Sequence, residues 1–172
     1  MSLTLAWDAT ALVHAVACER LDVLGDLAAG PVEESWRNVT TTAVWSEVRD
    51  ADRPPGWLEV VHVDDLPELQ ALFRWQARLS SGVRDLGETT VPAWADVHGA
   101  TAIIDDTQAR RVAARHGAAV HGSLWVVAQA VRAGRCSATS ASAFVDVMGR
   151  SGFRLPFPTG DFVEWAKASG LL

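Results

Sequence analysis

The 172-residue sequence contains no tyrosine, only two cysteines and a single lysine, Lys167. Cys18 and Cys136 form no CxxC pair, which excludes a disulfide scaffold and a cysteine zinc finger and suits a reducing compartment. No apolar run approaches the roughly 20 residues that a membrane span needs. No basic lead-in precedes Asp8, so we expect no signal peptide. These absences predict a single soluble, cytoplasmic domain over residues 1–172 with no membrane association.

Several common site motifs are also missing. The five histidines form no HxxH or HExxH pair, and neither GxGxxG nor GxxxxGK[ST] occurs. Histidine-ligated zinc and nucleotide cofactors are therefore not supported. The overall composition, with 49% hydrophobic and 21% charged residues, is that of an ordinary globular chain. A chain of this length can bury a core without a disulfide or metal to stabilise it.

The charge is distributed unevenly along the chain. The formal net charge is −6, yet residues 107–154 hold seven arginines and one acid, Asp146. Residues 1–106 hold seven arginines and 18 acids. An acidic centre beside a basic rim suits a phosphate-bearing ligand that also needs cations, although solvated helix faces produce the same pattern.

Apolar strand-like runs alternate with helical patterns along the whole chain. This alternation predicts an α/β domain of three layers, with a central parallel sheet, helices on both faces and a helical C-terminal extension over about 137–172. The predicted strands are 3–7, 38–41, 60–63, 100–104 and 118–120, and the predicted helices are 10–27, 42–48, 67–79, 91–98, 108–116, 123–133, 140–148 and 161–168.

Acidic residues follow several of these predicted strands. Asp8 ends the first strand, Asp105 and Asp106 end the fourth, and Glu47 and Glu88 lie just past a strand or at a helix start. Ligands of open parallel sheets bind outside the carboxyl ends of the strands, where these acids converge. Converging carboxylates repel each other unless cations neutralise them, and oxygen ligands suit Mg²⁺ or Mn²⁺.

Each acid also has an ordinary structural interpretation. Asp8 or Asp106 can cap the following helix, Glu47 can lie on a solvated helix face, and Glu88 can be a first-turn acid. Among the eight tryptophans, Trp75 and Trp165 are the candidates for stacking bases or packing a partner, because their helices look amphipathic.

The order of these acids and their neighbouring residues resembles the PIN-domain family, the ribonuclease module of VapC-type toxins. The resemblance covers nearly the whole chain. The segments that resemble an uncharacterised branch of the family or its general motifs are DATALV from Asp8, VWSEV around Glu47, LGE ending at Glu88, IDDTQARRVA from Ile104, VHGSL from Val120 and GFRL from Gly152.

The resemblance implies a metal-dependent endoribonuclease, the toxin of a type II toxin–antitoxin system. It implies Mg²⁺ or Mn²⁺ held by Asp8, Glu47, Glu88 and either Asp105 or Asp106, activating water to attack an RNA phosphodiester. Thr10 and Ser123 would hydrogen-bond these carboxylates or the phosphate, although either residue can instead be an ordinary helix cap. Arg110 and Arg111 would face the RNA backbone, unless they lie on a solvated face. The resemblance also implies a small antitoxin as partner and frequent dimerisation with a second copy of the chain.

Two departures from the family pattern leave the number of metals open. Glu88 stands where many PIN domains carry Asp, and Thr89 and Thr90 stand where relatives often add a second acid. One alternative is therefore a catalytically weak PIN-like module that binds RNA or a protein. A phosphoacceptor domain ranks last, because Thr10 replaces the expected second Asp and Lys167 is the only lysine.

Overall fold

The structure, a computed structural model, describes residues 2–79 and 86–172, and for residues 86–88 it describes the backbone only. Within these ranges the strands are β1 (Thr4–Trp7), β2 (Arg37–Thr41), β3 (Glu59–Val61), β4 (Thr101–Ile103) and β5 (Val120–His121). The helices of the same ranges are α1 (Ala9–Ala17), α2 (Leu21–Ala28), α3 (Thr42–Glu47), α4 (Leu66–Leu79), α5 (Leu86–His98), α6 (Thr107–Arg115), α7 (Ser123–Arg132), α8 (Ala138–Arg150) and α9 (Phe162–Ala168).

The five strands form one sheet in the order β3-β2-β1-β4-β5, and every neighbouring pair is parallel. In the central strand, Trp7 lies opposite Thr40 on one side and Ile103 on the other. Leu5, Ala6 and Trp7 are all at most 1% exposed. A strand buried on both faces reads as an unbroken apolar run, which is the pattern that predicted a parallel sheet. The predicted α/β fold is confirmed.

The helices form two packed groups. α4 packs on α5 and α6, whereas α2, α7, α8 and α9 form a separate series of contacts. The chain moves in one direction across the sheet from β1 to β3 and in the other direction from β3 to β5. Because crossovers between parallel strands are right-handed, these two sets of connections, and the helix groups that belong to them, cover opposite faces of the sheet. Trp75 and Ala71 of α4 form a small core with Ala93 and Ala113, separate from the main cluster. The three-layer prediction is therefore confirmed.

Two predicted helix boundaries are wrong. The single helix expected over 10–27 is two helices, broken at residues 18–20, where Glu19 adopts a φ of 55°. The apolar pattern runs on through this break and gives no sign of it. α5 begins at Leu86 instead of Val91, with Pro92 inside the helix. A proline usually starts or ends a helix, so a helix that continues past Pro92 is not expected from local sequence.

The expected helix ends at two histidine–glycine pairs are confirmed. α5 ends at His98 and α6 is capped at His116, and each is followed by a glycine with positive φ, 63° at Gly99 and 81° at Gly117. The C-terminal extension packs α8 against α9, and Phe162 is fully buried. In the described part of the chain, no helix combines the length and the apolar character of a membrane span.

Candidate active site

Asp8 lies at the carboxyl end of the central strand. Its backbone N–H donates to the carbonyl oxygen of Ile103 at 3.0 Å, which continues the pairing of β1 with β4 beyond the strand itself. Asp8 occupies the N-cap position of α1, yet its side chain makes no capping hydrogen bond, and the residue is 8% exposed. The carboxylate is therefore not used as a cap, and the backbone of Asp8 lies beside the end of β4.

Asp105 lies just past the end of β4 and is held by the start of α7. Its Oδ1 accepts hydrogen bonds from the Ser123 backbone N–H at 2.8 Å and from the Ser123 hydroxyl at 2.9 Å. Burial raises the pKa of Asp105, and the bonds from Ser123 and the charges of Arg110 and His14 only partly oppose this effect. A fixed carboxylate whose negative charge is poorly solvated gains from a bound cation.

Asp106 plays a different role. It is the N-cap of α6, and its Oδ1 accepts a hydrogen bond from the Ala109 backbone N–H at 2.6 Å. This is the helix-cap interpretation that the sequence left open for Asp106. Asp106 is thus bound to the end of α6, whereas Asp105 is bound to Ser123 at the start of α7.

Glu47 and Glu88 lie on two helices that pack together. Glu47 is the last residue of α3 and is half-buried, and α3 contacts both α1 and α5. Glu88 lies in the first turn of α5, but its side chain is outside the described residues. The hydroxyls of Thr41 and Thr90 lie 2.8 Å apart, which ties the end of β2 to α5. Thr90, where relatives often carry an acid, is thus a buried contact between strand and helix.

The predicted metal ligands are only partly placed. Among side chains described over 2–79 and 89–172, no three or more His, Cys, Asp or Glu groups lie close enough together to hold a metal ion. Asp8, Glu47 and Asp105 therefore do not form such a group by themselves, and the four-acid set that includes Glu88 stays a prediction. Asp8 and Asp105 nevertheless bring hard oxygen ligands to adjacent strand ends, and this donor type fits Mg²⁺ or Mn²⁺.

A groove runs past Asp105 between α1, α6 and the C-terminal segment. We call it the carboxylate groove, and it measures about 570 Å³. It brings together four of the predicted site residues, namely Thr10, Asp105, Asp106 and the exposed Arg111. Its lining residues are Thr10, His14, Asp105, Asp106, Thr107, Gln108, Arg111, Gly152, Phe153 and Arg154.

Thr10, Ser123 and Arg110 differ in detail from their simplest sequence interpretations. Thr10 is the second residue of α1 and not its cap, and Ser123 bonds Asp105 as the first residue of α7. The Arg110 guanidinium donates to the carbonyl oxygens of Ile104 and Asp105, both at 2.7 Å. It therefore holds the end of β4 and places a positive charge beside the acid. Its contact with an RNA backbone stays a prediction.

Some site residues escaped the sequence analysis. His14 lines the groove, and its Nδ1 lies 3.0 Å from the Ser151 hydroxyl, a partner 137 positions away along the chain. Phe153 and Arg154 reach the groove from the same C-terminal segment. No local pattern signals such distant pairs. Trp75, expected as a base-stacking candidate, is fully buried with its Nε1 3.2 Å from Asp96, so that expectation is wrong.

Comparison with known families agrees with this geometry. The model of the DUF3368 family, described as a PIN domain, matches residues 5–159. The chain therefore belongs to the PIN-domain family. PIN domains are generally nucleases, typically use divalent metal ions and bind nucleic acid. No curated protein and no solved structure gives a significant match.

Proposed function

We propose that this chain is a metal-dependent endoribonuclease and the toxin of a type II toxin–antitoxin system. The observation that carries the proposal is the placement of Asp8 and Asp105 at the ends of the adjacent strands β1 and β4, with Asp105 lining a groove that the exposed Arg111 and Arg154 also line. Because PIN domains are generally nucleases, we interpret the acids as cation ligands and the arginines as phosphate-binding residues.

Each residue has a distinct part in the proposed reaction. Asp8 and Asp105, together with Glu47 of α3 and Glu88 of α5, would hold a divalent cation. When bound, Mg²⁺ or Mn²⁺ supplies an activated water and neutralises charge that develops on the phosphate. Ser123 fixes the Asp105 carboxylate through two hydrogen bonds. Arg111 and Arg154, both exposed along the groove, would bind phosphates on either side of the cleaved bond.

The proposed antitoxin, and a second copy of the chain as a possible partner, require a surface for protein contacts. Leu66, Leu69 and Phe73 are exposed by 68%, 37% and 70% and lie along one side of α4. Their spacing places them on a single helix face, and contiguous exposed apolar side chains are typical of protein interfaces. This stripe supports a protein partner without identifying it.

The test is RNA cleavage by purified wild type and Asp8→Asn, with Mg²⁺ or Mn²⁺ and with EDTA. We expect cleavage that requires the metal and is lost in the variant, while circular dichroism shows that both proteins are folded. Asn at this position removes the charge with little change in shape. Full activity of Asp8→Asn would overturn the assignment, and a folded wild type that binds RNA without cutting it would instead select the RNA-binding module.

A further inference from the structure

A second cavity opens beside Asp105, on the side away from α1. It measures about 420 Å³, within the roughly 300–1,000 Å³ typical of small-molecule sites. We call it the aromatic cavity. Its walls come from the end of β5, the first turn of α7 and the C-terminal segment, through His121, Trp125, Phe153, Leu155, Pro156 and Trp165.

The aromatic cavity is continuous in its lining with the carboxylate groove. Asp105, Thr107, Phe153 and Arg154 line both. A ligand that spans the two spaces therefore meets a carboxylate and an exposed guanidinium where they join, and apolar rings beyond them. An RNA strand has this pattern of chemistry, with a charged phosphate next to a flat base.

The rings at the cavity wall are arranged for stacking. The His121 and Trp125 rings lie 4.1 Å apart and within 5° of parallel, and Trp125 also stacks on Trp36 at 5.7 Å and 7°. His121 is the exposed member of the three, whereas Trp36 and Trp125 are half-buried. Partial burial of the ring, and then the charge of Arg110, lowers the pKa of His121, which favours the uncharged form of the ring. An uncharged, pre-aligned ring offers a face to a planar ligand at little entropic cost.

We propose that the aromatic cavity binds one nucleobase of the RNA strand, next to a phosphate bound by Arg154, and so determines which sequences are cut. The inference rests on the proposed ribonuclease function and adds a specificity site to it. Base stacking on aromatic side chains tolerates any base, so the shape of the walls around Leu155 and Trp165 would set the preference.

The experiment measures binding of short single-stranded RNA in the Asp8→Asn background, with Mg²⁺ present, so that the RNA stays intact. A series of RNAs carries one abasic nucleotide at successive positions. Removing a base leaves every phosphate in place, so it tests the cavity without changing the charge attraction. We expect one position whose base removal weakens binding about tenfold.

Variants of the cavity then assign that effect. His121→Ala should weaken binding of the intact RNA about tenfold, and removing the base at the sensitive position should then weaken binding only slightly further. His121→Phe should bind the intact RNA like its parent and should still lose affinity when that base is removed. His116→Ala removes the same type of side chain at the C-terminal end of α6, outside both cavities, so it is the matched control and should leave binding unchanged. The proposal would be overturned if base removal cost the same binding in His121→Ala as in its parent, if His116→Ala and His121→Ala weakened binding equally, or if the protein bound no RNA. If the abasic effect appears but wild type never cleaves RNA, the base site survives and the proposed nuclease function fails.

Discussion

Replacing Asp105 by asparagine separates the charge of this residue from its hydrogen bonds. The asparagine oxygen keeps an acceptor for both bonds from Ser123, while the buried negative charge disappears. Because burial raises the pKa of Asp105, the folded state holds this proton more tightly than the unfolded chain. The protonated Asp105 carboxyl therefore stabilises the folded state. This contribution is fully present below the pKa that Asp105 has in the unfolded chain, and it is lost as the pH rises through the pKa that Asp105 has in the folded state. In EDTA at neutral pH, Asp105→Asn should therefore melt above wild type, with a gap that closes as the solution is acidified.

Added metal should reverse that order. A cation present at 100 times its dissociation constant stabilises the folded state by about 2.7 kcal/mol. For a chain of this size each kcal/mol shifts the melting temperature by about 2–4 °C, so wild type should gain roughly 5–10 °C in Mg²⁺. Asp105→Asn, which lacks a ligand, should gain almost nothing. Scanning calorimetry with Mg²⁺ and with EDTA measures both effects.

Asp106→Asn is the matched control for this experiment. Its carboxylate caps α6, and asparagine caps helices as well as aspartate does. The control should melt within about 0.5 kcal/mol of wild type in EDTA and keep the full response to Mg²⁺. The reasoning is refuted if Asp105→Asn is less stable than wild type in EDTA, or if Asp106→Asn, and not Asp105→Asn, loses the metal response.

Three further predictions concern the support of the site and the core. Ser123→Ala removes a hydroxyl bond to a carboxylate, so urea titration should show a loss of about 1.5–3 kcal/mol. Glu68 is buried; that burial raises its pKa, but the bond from His98 and two backbone amides outweigh it and lower the pKa overall. The ionised Glu68 carboxylate therefore stabilises the folded state above the pKa that it has in the unfolded chain, and this contribution is lost as the pH falls through its pKa in the folded state. Glu68→Gln should lower the free energy of unfolding by about 1–3 kcal/mol at neutral pH, and by progressively less in thermal melts at acid pH. A Cβ at Gly25 would lie 2.4 Å from a tryptophan ring, so Gly25→Ala should lower stability by about 1–3 kcal/mol, whereas Gly56→Ala, with open space around it, should change the same unfolding midpoint by less than about 0.5 kcal/mol.

The parallel sheet and the position of its acids could be predicted because both depend on local sequence. A strand buried on two faces must be apolar throughout, and a polar residue at its carboxyl end marks the edge where ligands bind. Asp8 and Asp105 follow this rule directly. Choosing between Asp105 and Asp106 required the hydrogen bonds to Ser123 and Ala109, because either side chain can cap the helix that follows.

The rest of the site depends on contacts between distant segments. His14 meets Ser151, and Arg154 reaches a groove whose other wall belongs to α1. Neither pairing has a spacing that a sequence pattern reveals. The break at Glu19 was missed for a related reason, since the apolar periodicity continues across it and only the backbone conformation ends the helix. Trp75 lies on an amphipathic helix, as expected, but on the side that packs against α5 and α6.

The measurement that tests the central claim most directly compares RNA cleavage rates of wild type, Asp105→Asn and Asp106→Asn in saturating Mg²⁺. Losing a metal ligand should reduce the rate by more than about 100-fold, beyond the usual cost of losing a residue that supports a ligand. We predict this loss for Asp105→Asn and a rate within a few-fold of wild type for Asp106→Asn. Equal rates for all three proteins, or loss confined to Asp106→Asn, would contradict a catalytic centre built on Asp105.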